Sequence, residues 1–288
     1  MERVKKLPRI PTREPDSHKG TYGRVLLILG SPEMPGAAVL AARAALRCGS
    51  GLVTVAIPRA VSAILGAACP EATQLHLPPA STHRESLFST LRPRFEGGAD
   101  AVAVGPGLGT SSASAALVGL VLDACTAPVV LDADALNVVA AAPALAKTVR
   151  PDRVWTPHPG EFQRLTGERP RGDEERVAAC ARFVARLGGV VVLKGHRTVV
   201  LEEGRYHVNE TGNPGMATGG SGDVLTGVIA SLLGQGFAPF DAACLGVFLH
   251  GSAGDAAAEK LGQQSLIAGD IVEFLPKAFE RLGSEGHN

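Results

Sequence analysis

Aromatic side chains are scarce in this chain: they make up 4% of its 288 residues, with one tryptophan and two tyrosines. Net charge is absent too, since 28 lysines and arginines balance 28 aspartates and glutamates. Nucleic-acid binding rests on a basic footprint and on rings that stack against bases, so no nucleic-acid partner is expected. The five cysteines, Cys48, Cys69, Cys125, Cys180 and Cys244, are scattered and form no C-x-x-C pair. Such a set builds neither a disulfide framework nor a zinc site, and fits small core residues in a reducing compartment. No segment approaches the roughly 20 apolar residues of a membrane span, and the polar N-terminus lacks the apolar stretch of a secretory signal. The expectation is a cytoplasmic protein that meets no membrane.

What is present is enough apolar material for a full core, 45% of the chain. That suits one large α/β domain. Residues 1–17 are polar and proline-containing, and are expected to form a flexible leader before a single domain over 18–283. Residues 25–29, 101–104, 128–131, 154–156 and 190–193 are short runs, mostly apolar at every position. That pattern belongs to strands covered on both faces, as in a parallel sheet flanked by helices. Residues 36–48 form an alanine-rich helix leading to a strand at 52–57, and this alternation implies right-handed crossovers onto one sheet. Residues 60–98 are expected to hold a helix, a proline-rich loop and a second helix, and 173–187 another helix. The strand at 190–193 returns through 199–201 as a hairpin, whose tip, Lys194 to Thr198, carries two cations and a hydroxyl suited to covering a nucleotide. The small-residue helix over 242–261 suits core packing or a subunit interface.

The stretch 213–223 stands out. Gly212, Gly215, Gly219, Gly220 and Gly222 crowd together just before a helix whose apolar residues Val224, Val228 and Leu232 recur on one face. A glycine turn delivered onto a helix start leaves N–H groups pointing outward at the positive end of the helix dipole, which suits phosphate. Asp223 lies at that point. A carboxylate beside phosphate suggests a base for a hydroxyl taking part in phosphoryl transfer. Read alone, Gly-Gly-Ser-Gly-Asp is also ordinary capping chemistry.

Other strand ends carry polar punctuation. The turn Gly105-Pro106-Gly107-Leu108-Gly109 does not fit G-x-G-x-x-G, and the chain has no phosphate-binding G-x-x-x-x-G-K-[ST] loop. It is either a wall of the site or a tight strand-to-helix turn. Asp132 and Asp134, two residues apart, point to opposite faces of an extended segment and so do not jointly hold one metal; Asp134 also suits a helix N-cap. Pro157 and Pro159 clamp His158, with Glu161 three residues on, in a place suited to orienting a polar substrate.

Taken in order, Lys19-Gly20, residues 105–109, Asp132 to Asn137, Thr156 to Glu161, Leu193-Lys194-Gly195, Asn213 to Asp223 and Leu249 to Asp255 form a set that spans nearly the whole chain. The set resembles the NAD(P)H-hydrate dehydratases of the ribokinase-like superfamily. The resemblance implies a three-layer sandwich in which a central, mostly parallel sheet is flanked by helices. It implies an enzyme that restores hydrated NADH or NADPH, phosphorylating the C6 hydroxyl of the S form and eliminating phosphate. Asp223 then resembles the base, with Gly219, Gly220, Ser221 and Gly222 as the anion hole, of which Gly220 and Gly222 count among the catalytic set. Lys194, Gly195, His196, Arg197 and Thr198, with Asn213, resemble the adenine-nucleotide site. Ala38, Gly107 and His158 resemble the positions that contact the hydrated cofactor, and Glu161 the glutamate that organises Mg2+ through water. ADP is the expected donor and ATP the alternative. A short chain leaves no room for the epimerase domain of many relatives, so an NAD(P)H-hydrate epimerase is expected as a separate functional partner. A homo-oligomer is expected as well. Two other classes stay open: a ribokinase-like kinase of a hydroxymethylpyrimidine or thiazole alcohol, and a non-catalytic nucleotide sensor.

Overall fold

Strands buried on both faces must be joined by covering segments, and here the covering segments are helices. In the computed structural model, which describes residues 1–79 and 84–285, the chain forms one ten-stranded sheet between two helical layers. In chain order the elements are β1 (Glu2–Arg3), β2 (Arg24–Ile28), α1 (Pro35–Arg47), β3 (Leu52–Pro58), α2 (Ser62–Ala68), β4 (Thr73–Leu77), α3 (Arg84–Phe95), β5 (Ala101–Val104), α4 (Ser112–Ala124), β6 (Val129–Leu131) and α5 (Asp134–Ala141). There follow β7 (Arg153–Trp155), α6 (Pro159–Thr166), α7 (Gly172–Leu187), β8 (Val190–Leu193), β9 (Val199–Glu202), β10 (Arg205–Val208), α8 (Ser221–Gly234), α9 (Pro239–Leu261) and α10 (Ala268–Glu285).

The strand order is β1-β10-β9-β8-β7-β6-β5-β2-β3-β4. From β8 to β4 every neighbour is parallel, and β9 runs antiparallel between β8 and β10. The order reverses between β2 and β5, since the chain first moves outward through β3 and β4 and then crosses back. Ligands of such sheets collect at the carboxyl ends of strands around that reversal.

Because side chains alternate across the pleat, one strand supplies both layers. Val25 and Leu27 of β2 face a core shared with α1, α8, α9 and α10, while Leu26 and Ile28 face one shared with α3, α4, α5 and α7. The alanines of α1 serve close packing. A Cβ on Gly227 of α8 would stand 2.2 Å from the Ala41 carbonyl oxygen, so the two backbones touch directly. That contact fixes α8, whose N-terminus carries the glycine turn.

Several elements depart from the sequence reading. Between the two helices expected over 60–98 lies an extra strand, β4; Thr73, Gln74 and His76 make it polar, which an edge position permits. Residues 80–83 of the proline-rich loop lie outside the described residues. The expected leader is tied to the body: β1 pairs with β10, the Val4 carbonyl meets His207, and Arg13 lies 3.8 Å over the Tyr22 ring while donating to the Gly49 carbonyl. Helix α9 is buried within this one chain, which accounts for its small residues as core. Among the described residues no helix is long and apolar enough to cross a membrane.

Candidate active site

The glycine turn meets α8 at Gly220, the helix N-cap, whose φ of +90° is left-handed. A Cβ there would also stand 2.5 Å from Leu40, so glycine is required twice over. Ser221, Gly222 and Asp223 open the helix; the Ser221 N–H donates to the Thr218 carbonyl at 3.4 Å, and helix geometry leaves the Gly222 and Asp223 N–H groups without intrahelical acceptors. The incoming loop is held by α9. Asp255 accepts from the Gly212 N–H at 2.8 Å and from Asn213 Nδ2 at 2.9 Å, and Asn213 Oδ1 accepts from the Gly215 N–H. Gly251 and Gly254 let the loop lie against the helix, since a Cβ on either would fall 2.2 Å from Thr211 or Met216. Half-buried His250 sits 2.9 Å from the Ser221 carbonyl through Nε2, and desolvation pushes its pKa down to about 4. It is therefore a neutral ring donating to that carbonyl.

Opposite the turn, Lys194 at the end of β8 reaches inward. Its Nζ donates to Asp132 Oδ1 at 2.6 Å and lies 3.9 Å from Glu161, while Asp132 Oδ2 accepts from Thr226 at 2.8 Å. Burial opposes the lysine's charge, but Asp132 and Glu161 outweigh it and hold its pKa above the ordinary value. Burial also raises Glu161, against the pull of Lys194. Asp223 is pushed up to about 6, first by burial and then by the Asp132 charge, with Lys194 opposing. A carboxylate poised there can take up a proton near neutral pH.

His158 is the N-cap of α6. Its Nδ1 accepts from the Gly160 and Glu161 N–H groups, and Glu161 Oε2 accepts from the His158 N–H at 2.8 Å in return. With Nδ1 occupied, the neutral ring carries its proton on Nε2, 3.3 Å from Glu161 Oε1. Burial and then Lys194 hold its pKa below the ordinary histidine value. The hairpin tip is fixed by Arg176 of α7, whose guanidinium donates to the carbonyls of Leu193, Lys194, His196 and Arg197. Between the tip and the turn lies a cavity of about 540 Å3, lined by His158, Lys194, Gly195, His196, Thr198, Asn213, Ser221, Gly222 and His250 among others. Its size suits a nucleotide-sized ligand.

Known proteins resemble this chain over most of its length. A family model described as NAD(P)H-hydrate dehydratase matches residues 25–277. The chain belongs to this family. An ADP-dependent (S)-NAD(P)H-hydrate dehydratase of Neisseria meningitidis is 40% identical over 90% of this chain and 86% of its own length. A bifunctional NAD(P)H-hydrate repair enzyme of Moorella thermoacetica is 45% identical over 96% of this chain. Against that enzyme and the other bifunctional relatives the chain spans about half their length, 53% in this case. Among solved structures, an ADP/ATP-dependent NAD(P)H-hydrate dehydratase of Bacillus subtilis co-crystallised with ATP and Mg2+ superposes with a TM-score of 0.77 at 33% identity, covering 95% of this chain and 94% of that one. A ribokinase-like superfamily protein of Enterococcus faecalis gives 0.83 at 32% identity, covering 95% and 92%. The fold is the ribokinase-like sandwich expected from the sequence.

Within this dehydratase frame, most of the residues nominated from the sequence fall into two groups. His158, Lys194, Gly195, His196, Thr198, Asn213, Ser221 and Gly222 meet at the cavity, and Asp223 follows Gly222 in the first turn of α8 without lining it. Ala38 and Gly107 lie together at the β2–β5 reversal: Ala38 is fully buried against Gly30, and a Cβ on Gly107 would meet Ala37 and the Met34 carbonyl at 3.0 Å. Arg197 is turned away, its guanidinium held by Asp173 at 2.7 Å and near Glu210, so the cation at that tip is not aimed at the cavity. Gly219 and Gly220 shape the turn without lining the cavity. Asp134 is not the N-cap of α5; Ala133 holds that place at φ +48°, and Asp134 accepts from the Gly109 N–H at 2.8 Å. Asp132, Arg176, Thr226, His250 and Asp255 had not been nominated, and each contacts a part of the site.

Proposed function

We propose that the chain dehydrates the S form of hydrated NADH or NADPH, using ADP as donor and ATP as the alternative. The observation that carries this reading is the meeting of the Lys194 ammonium with the N-terminus of α8 at one cavity, with Asp223, poised near pH 6, in the first turn of that helix and close enough to act on the Lys194 charge. The Asp223 carboxylate takes the proton of the C6 hydroxyl, and that oxygen attacks the terminal phosphorus of the nucleotide. The backbone N–H groups of Gly222 and Asp223 take up the negative charge on the moving phosphoryl oxygens. Phosphate then leaves with the C6–O bonding pair, pushed by the ring nitrogen, and loss of the C5 proton closes the double bond. The balance is hydrate plus ADP to NAD(P)H, AMP and phosphate. Hydroxide is a poor leaving group and phosphate a good one, which is what the nucleotide supplies.

Mg2+ fits the acid excess of the site. Asp132, Glu161 and Asp223 all act on Lys194. Among the described residues no group of three or more acidic, His or Cys side chains is arranged to hold a metal directly. Mg2+ ordinarily keeps waters and takes one or two carboxylates plus substrate phosphates, so Glu161 would hold it through water. When bound, the ion neutralises charge on the phosphates. The His158 Nε2–H, Ala38 and Gly107 are assigned to the hydrated cofactor. Five free, buried cysteines support work in the reducing cytoplasm. An NAD(P)H-hydrate epimerase would convert the R form for it, and the active form is assigned as a homo-oligomer.

Incubation with hydrated NADH, Mg2+ and either nucleotide tests the reading. NADH absorbance should return, fastest with ADP. A phosphorylated product that accumulates without absorbance would point to a kinase, and no reaction with either nucleotide would overturn the reading.

A further inference from the structure

Asp132 is 1% exposed and has no place in the reaction just described. A carboxylate buried that far is costly unless it is paired and hydrogen-bonded. Both of its oxygens are used, Oδ1 by Lys194 and Oδ2 by Thr226, itself 0% exposed and one turn along α8 from Gly222. The three residues tie β6, β8 and α8 together at one point. A buried ion pair is a weak device for stability, since well-packed apolar side chains of the same volume often serve as well or better.

What the arrangement achieves is the placement of a cation. A Cβ on Gly222 would stand 3.2 Å from Lys194 Nζ and 3.7 Å from Asp132 Oδ2, so the ammonium rests against the bare backbone at the positive end of α8. Lysine has three N–H donors. Asp132 takes one; Glu161, at 3.9 Å, is beyond hydrogen-bond distance. Lys194 and Gly222 both line the cavity.

We propose that Asp132 and Thr226 are positioning residues of the phosphoryl-transfer centre, holding the Lys194 ammonium over Gly222 so that it contacts the phosphoryl group being transferred rather than the adenosine part of the nucleotide. This rests on the proposed function and adds a division of labour within the nucleotide site: Lys194 serves the terminal phosphate, and the rest of the hairpin tip serves the nucleoside.

Binding of ADP and AMP to the full chain, measured by calorimetry, separates these roles, because AMP lacks the group to be transferred. Lys194→Met is expected to weaken ADP by about tenfold or more and AMP by less than about twofold. Equal weakening of both overturns the assignment of Lys194. Thr226→Val is expected to show the same selective loss, with kcat down by about 10- to 100-fold and KM for the hydrated cofactor within about threefold. Thr226→Ser, which keeps the hydroxyl, is expected to restore both. A Thr226→Val variant with an unchanged ADP-to-AMP ratio, or a serine variant as impaired as the valine, overturns the positioning role. Asp132→Asn is expected to behave as Thr226→Val does, and the threonine pair carries the test if the asparagine variant fails to fold. The binding arm needs no turnover: selective ADP loss in a chain that never dehydrates hydrated NADH would refute the functional reading and uphold the placement of Lys194.

Discussion

Replacing Asp223 by asparagine is expected to stabilise the protein while abolishing turnover. Burial first, and the Asp132 charge second, raise the Asp223 pKa from 3.8 to about 6. The folded state therefore binds the proton more tightly than the unfolded chain, and stability falls as pH rises through that window. About two pKa units correspond to about 3 kcal/mol, a cost fully present above pH 6 and absent below the unfolded value. Asparagine fills nearly the same volume and carries no charge to bury. For a chain of this length, ~1 kcal/mol moves Tm by less than about 2 °C, so the variant should melt roughly 3–5 °C higher at about pH 8. The difference should shrink toward zero near pH 4. Thermal melts of both proteins across that range, followed by circular dichroism, provide the check. A variant less stable than the wild type at pH 8, or an offset that does not change with pH, would refute the reasoning that Asp223 is a buried carboxylate held out of its preferred environment.

The same carboxylate sets the acid limb of activity: as a base it must be ionised, so kcat/KM should fall about tenfold per unit below about pH 6, and a flat profile from pH 5 to 8 would remove it from that role. Arg176→Met takes the donor away from four carbonyls of the hairpin tip; nucleotide affinity should drop at least about tenfold although Arg176 does not line the cavity, with a stability loss of about 2–4 kcal/mol by denaturant titration. Gly222→Ala and Gly220→Ala should separate cleanly. The first puts a methyl group 3.2 Å from the Lys194 ammonium and should cost activity with little change in Tm, whereas the second meets Leu40 at a left-handed φ and should lower stability by about 1–3 kcal/mol. Equal melting temperatures for the two alanine variants would contradict that account.

Much of the fold was legible because buried parallel strands write their pattern locally. Residues 25–29, 101–104 and 190–193 show it as unbroken apolar runs, and glycines cap α6 and α7 between them. Strand β4 escaped because an edge strand needs no such run: Leu75 and Leu77 are its only large apolar residues. The glycine turn was legible for the same local reason, since its residues are adjacent in sequence. The partners that hold it were not. Asp132 meets Lys194 across 62 positions and Thr226 across 94, and Asp255 meets Asn213 across 42, so no window of sequence contains these pairs. His250 and Gly251 appeared as small-residue core packing because their contact with the loop depends on the crossing of α9 over α8. Arg197 shows the same limit from the other side. A cation at a hairpin tip suggested an anion, but Asp173 at the start of α7 already holds it. For His158 and Glu161 the location was legible and the local chemistry was not, because the mutual capping of α6 that fixes the imidazole proton is visible only in the backbone hydrogen bonds.

The central claim is that the C6 oxygen of the hydrate is itself phosphorylated, with Asp223 taking its proton at the N-terminus of α8. Hydrated NADH carrying a heavy-oxygen label in that hydroxyl tests it directly, with the released phosphate analysed by mass spectrometry after turnover with ADP. The account predicts that the label leaves in inorganic phosphate, one for each AMP formed, and that Asp223→Asn releases none. Label recovered in water, with unlabelled phosphate, would contradict it.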